Sequence, residues 1–168
     1  MKAYMRKQYI VGQRIFREKV RELVFPHTTS ILAPHEKYIV EIIDVVPDGN
    51  CGFHTIAALL DWTEESWPLV RTQLDKEIHL HQDLYANVFD DSIELVRNSL
   101  KISGLGGHGK DKWMTIPDLC YVIATLYNVI LVSLSRNLNM LFFPLNKAPS
   151  KESSLINLLA IGFVNENR

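Results

Sequence analysis

The sequence predicts an α+β domain, a small and mostly antiparallel sheet flanked by helices. Three observations lead there. Apolar residues recur at helical spacing through the first part of the chain, three strand-like runs follow in its last part, and clusters of turn formers separate them. The 168 residues suffice for one domain with a real core. Apolar residues make up 47% and charged residues 22%, as in an ordinary globular protein. A net charge of −1 argues against a general binder of nucleic acid or of membrane surfaces. No apolar stretch reaches the ~18–20 residues of a membrane span. Met1 to Lys7 starts with charge but has no apolar signal core behind it. Two cysteines suit a reducing compartment, so the expected location is cytoplasmic or nuclear; a Cys51–Cys120 bridge is the alternative.

Each element has its own warrant. Ile10, Val11, Ile15, Phe16, Val20, Leu23 and Val24 predict a helix over 8–24, ended by Phe25-Pro26. A loop with two prolines leads to a strand near 38–46, and Pro47 to Asn50 are turn formers. Phe53 to Leu60 predict a helix that opens at Cys51. Ser66 as cap and Pro68 in the first turn start the next helix, whose stripe is Trp67, Val70, Leu74 and Ile78. Asp91-Ser92-Ile93-Glu94 reads as a capping box for a short helix with Ile93, Val96 and Leu100. Gly104 to Lys112 is glycine-rich, either a substrate-contacting loop or a plain connection. It lacks the strand, helix and Lys-Ser/Thr of a phosphate-binding loop. Thr115-Ile116-Pro117-Asp118 starts a helix with Thr115 as cap, Leu119, Val122, Ile123, Leu126 and Tyr127 on its apolar face, and Asn128 as a left-handed cap. Val129–Ser135, Met140–Leu145 and Leu155–Val164 predict a β meander, the first two runs joined as a hairpin by residues 136–139.

One position carries chemistry. Cys51 stands where the turn Asp48-Gly49-Asn50 gives way to a helix. Unpaired N–H groups and the helix dipole favour thiolate there, and thiolate is the nucleophile. The plainer readings are a structural turn made by Asp48 and Asn50, and an inert buried thiol. Cys120 lies on an apolar helix face as a packing residue. His27, His35, His54, His79, His81 and His108 lack zinc-ligand spacing with the cysteines, so no metal or other cofactor is implied.

Asp48-Gly49-Asn50-Cys51 followed by Gly52-Phe53 resembles the signature of the OTU (ovarian tumour) cysteine proteases, which are mostly deubiquitinases. Three further blocks are similar to that family in the same order: Trp67-Pro68-Leu69-Val70-Arg71-Thr72-Gln73-Leu74; Trp113 to Leu119 with Tyr127 to Val132; and Ile161-Gly162-Phe163-Val164-Asn165-Glu166-Asn167. The resemblance is closest to OTU domains of proteins related to Mutator-like transposable elements, and it covers roughly residues 35–168. It implies an OTU-like domain at 35–168, short of its last strand, behind an N-terminal helix-and-loop extension at 1–34.

The resemblance also implies isopeptide hydrolysis, with ubiquitin or a ubiquitin-like protein as partner. Cys51 would be the nucleophile, and Asp48 would order the loop. The backbone of Gly49, Asn50 and Cys51 would form the oxyanion hole. Trp113 would wall the channel for the modifier's tail, or else belong to the core, and His108 in the flexible loop would face the same channel. Two departures stand out. His54 occupies a place where the family commonly has Arg. Either Arg168 occupies the place of the general-base histidine, or the chain ends before that histidine with Arg168 a boundary residue; Arg cannot take a proton from a thiol because its pKa exceeds ~12. His54 and His108 are the histidines left to approach Cys51. The alternative function is therefore a catalytically inactive OTU-like domain that binds ubiquitin or another partner.

Overall fold

A computed structural model describes residues 3–6, 41–135, 138–147 and 158–162. The predicted helix at 8–24, the loop to His35, and Arg168 lie outside the described residues. Among the described residues, strands β1 (Ala3–Arg6) and β2 (Glu41–Asp44) precede five helices: α1 (Cys51–Leu59), α2 (Trp67–Leu80), α3 (Gln82–Phe89), α4 (Ile93–Leu100) and α5 (Asp118–Tyr127). Strands β3 (Ile130–Leu134), β4 (Met140–Phe142) and β5 (Leu158–Gly162) follow. This is a mixed helix-and-strand domain, as expected.

The sheet runs β2-β1-β5-β3-β4. All its pairings are antiparallel except β3 with β5, which is parallel. The β3–β4 hairpin matches the sequence reading. The meander does not. β5 leaves β4 and lies on the other side of β3, with Leu131 opposite Leu159 and Ser133 opposite Ile161. In sequence β3 and β5 are separated by residues 135–157, more than the roughly one dozen that a parallel pair needs. β1 stands between β2 and β5, so the N-terminal segment set apart by the sequence reading supplies a strand inside the sheet.

α2 is the central helix, touching α1, α3, α4 and α5. Its stripe of Trp67, Val70, Leu74 and Ile78 is buried, as its spacing predicts. α5 packs on β3 and β4, with the Tyr121 ring edge-on to Phe142, and buries Leu119, Val122 and Ile123; α1 packs on β1. Asn128 closes α5 in the left-handed conformation, φ +50°. The N-terminal caps differ from expectation. No side chain caps α2, α4 or α5. Short 3₁₀ turns lead into α2 and α4 instead, at Glu64–Ser66 and Asp90–Ser92, and the Ser92 hydroxyl donates back to Phe89 O.

Candidate active site at the start of helix α1

The site begins with a turn. Val45 is buried, and Pro47, Asp48 and Gly49 take the chain to the surface before Asn50 returns it, buried, as the residue ahead of α1. Gly49 has φ +86°, a region that L side chains rarely adopt. A Cβ built there would lie 2.2 Å from His108 O and 3.0 Å from Trp113 Nε1. Only glycine lets these two segments meet. Gly52, in the first turn of α1, has a similar role, since a Cβ there would sit 2.7 Å from Met114 Cβ.

Asp48 ties the turn. Its Oδ1 accepts from the Asn50 amide at 2.8 Å, and its Oδ2 accepts from Asn50 Nδ2 at 3.1 Å. Oδ2 also lies 3.2 Å from His54 Nε2. Burial pushes this carboxyl upward, but the hydrogen bonds from Asn50 and His54 outweigh it and hold Asp48 below its ordinary value. His54 Nδ1 lies 3.0 Å from Glu64 O. His54 therefore joins the turn to the segment entering α2, rather than facing the thiol.

Cys51 is the first residue of α1, free and 6% exposed. Among the described residues, its amide and that of Gly49 make no hydrogen bond, whereas the Asn50 amide is bound to Asp48. Two of the three expected oxyanion donors are thus open, and the third holds the turn. Cys120 is fully buried, and burial pushes its thiol up to about 12, in keeping with a packing role.

The glycine-rich loop folds onto this turn. His108 N donates to Asp48 O at 3.0 Å, and Asn50 Nδ2 donates to Gly106 O at 3.3 Å. Trp113 Nε1 donates to His108 O at 3.3 Å, and the Trp113 ring sits at the surface beside Gly49 instead of in the core. His108 and His54 flank the buried Trp67 ring, with centroids at 6.0 Å and 5.7 Å. Neither histidine hydrogen-bonds the Cys51 sulfur.

Sequence reasoning missed Arg71 as a site residue. Its side chain is buried in α2, with Nη2 donating to Asn50 Oδ1 and to Lys112 O, both at 2.7 Å, and Nη1 donating to Ser99 O at 2.8 Å. The signal was present, because residue 71 shares the helix face of Trp67, Leu74 and Ile78. Burial pulls the guanidinium down to about 10, opposed by the charges of Asp48 and Cys51, so it stays charged at neutral pH. The arrangement offers a thiol at a helix start, open backbone donors, and a polar turn held rigid from both sides. In comparisons with known proteins, no family model, curated protein or solved structure matches the chain.

Proposed function

We propose that the chain is an OTU-like cysteine isopeptidase that releases ubiquitin or a ubiquitin-like protein from lysine side chains. The observation that carries this reading is the nucleophile turn: Cys51 opens α1, and Asp48 fastens Asn50 through both its amide and its side chain. The Cys51 thiolate attacks the carbonyl carbon of the modifier's C-terminal glycine. The oxyanion takes hydrogen bonds from the open amides of Gly49 and Cys51; one such donor is worth roughly 3–4 kcal/mol in well-studied proteases. Collapse expels the lysine amine, which takes up a proton, and leaves a thioester that water hydrolyses. Trp113, at the surface beside Gly49, lines the approach of the modifier's extended tail.

Hydrolysis of diubiquitin by the wild type, abolished in Cys51→Ala, is the expected result. Equal hydrolysis by both would remove Cys51 from the reaction.

The second reading, a binding domain that does not cut, is favoured by the shelter of Cys51 and by His54 and His108, neither of which hydrogen-bonds its sulfur. It predicts that the chain binds ubiquitin without hydrolysing any diubiquitin linkage.

A further inference from the structure

We propose that Arg71 is the positioning residue of this site, holding the Cys51 turn and the Trp113 rim in register. The inference rests on reading Cys51 as the nucleophile. Helix α2 brings the guanidinium to a point where three chain segments meet. Asn50, which accepts from Nη2, directly precedes Cys51. Lys112, whose carbonyl accepts from the same nitrogen, directly precedes Trp113. Ser99, whose carbonyl accepts from Nη1, lies in the last turn of α4 and gives the assembly its anchor. The guanidinium carbon lies 3.7 Å from the ring centroid of Phe53 in α1, so the fork is stacked as well as bonded.

A planar guanidinium spreads its donors over separate nitrogens in a fixed fork, whereas an ammonium gathers all three on one nitrogen at the end of a flexible stem. The position is also costly. Arg71 is 1% exposed, and its Nε is buried with no hydrogen-bond partner. An unpaired buried donor is a cost that an apolar residue on the core face of α2 would avoid. A side chain selected for core stability alone would not be an arginine. What this one gains is a fixed distance between residues 50 and 112, which no shared helix or strand provides. The Asp48 carboxylate, which fastens Asn50, also acts on this charge, so the fork and the charge meet at the same turn.

The test is amide exchange by mass spectrometry on the full chain, with iodoacetamide modification of Cys51 as a second readout. Arg71→Met removes both fork and charge. Exchange should rise about tenfold or more in 48–54 and in 104–113 together, as expected for lost charged hydrogen bonds. α5 and β3 should keep their protection. Cys51 modification should slow by about tenfold, the equivalent of one such bond. Arg71→Lys keeps the charge without the fork. It should bring Cys51 modification to within about threefold of wild type while exchange in 104–113 stays raised. If Arg71→Met does not fold, the exchange of these two segments in Arg71→Lys decides. Unchanged exchange in both segments, a rise spread evenly over α2, α4 and α5, or wild-type modification of Cys51 in folded Arg71→Met overturns the proposal. A wild type that iodoacetamide modifies at Cys51 but that cleaves no diubiquitin removes the isopeptidase reading and leaves this result standing.

Discussion

Gly49 is required at its position for two separate reasons, a left-handed backbone and a carbonyl lying where a Cβ would go. Gly49→Ala should therefore cost about 1–3 kcal/mol in strain, measured by urea denaturation, and slow Cys51 alkylation by at least about tenfold. Asp48 makes a different prediction. Its folded value is depressed, so its contribution is present above the ordinary Asp value of 3.8 and is lost as pH falls through the folded value. Protection of the Asn50 amide should fall with acid in the wild type. In Asp48→Asn that acid step should be missing, since no carboxylate is left to protonate. An identical acid profile in both proteins would mean that Asp48 does not hold the turn. Much of this was legible in the chain: Asp48, Gly49, Asn50 and Cys51 announce a turn before a helix whatever the fold. Arg71 was legible only in its helix phase, on the face of Trp67, Leu74 and Ile78; its partners were not, because a charged residue on a helix reads by default as solvated. Its burial depends on Asn50, Ser99 and Lys112, whose convergence is a tertiary fact.

Helix α2 is the element that organises the others. Leu74 is fully buried in it, whereas Leu95 in α4 is 71% exposed. Leu74→Ala should destabilise by about 2–5 kcal/mol, and Leu95→Ala by no more than about 0.5, both read from denaturant midpoints. Similar small shifts in both would mean that α2 is not central to the core. An apolar run located α1, of whose residues all but Ala58 are buried, and periodicity located α2, α4 and α5, which each bury one face. It passed over α3, a short helix in which Leu84, Tyr85, Val88 and Phe89 fall close together after the exposed His81. The caps were misread for a local reason. Ser, Thr and Asp offer cap chemistry, but here 3₁₀ turns carry the chain into α2 and α4, and the Ser92 hydroxyl bonds a carbonyl instead.

At the scale of the whole molecule, β1 is the unexpected part. Four residues near the N-terminus stand between β2 and β5, pairing Met5 with Ile42 on one side and Ala160 on the other. No local pattern in so short a run reveals which strands it will join, and the same holds for the parallel placement of β5. Deleting residues 1–6 should split the sheet and lower the thermal midpoint by several degrees or abolish cooperative unfolding. An unchanged midpoint would place the stabilising sheet in β3, β4 and β5 alone. The position of α1 against β1 ties this architecture to the site, since the helix that opens with Cys51 rests on that strand.

The most direct test is covalent. Ubiquitin bearing an electrophile at its C-terminus is incubated with the wild type and with Cys51→Ala, and the site of the adduct is mapped by mass spectrometry. An OTU-like isopeptidase forms a single adduct, on Cys51, and none in the variant. No adduct on a folded wild type, or one that persists in Cys51→Ala, contradicts the account.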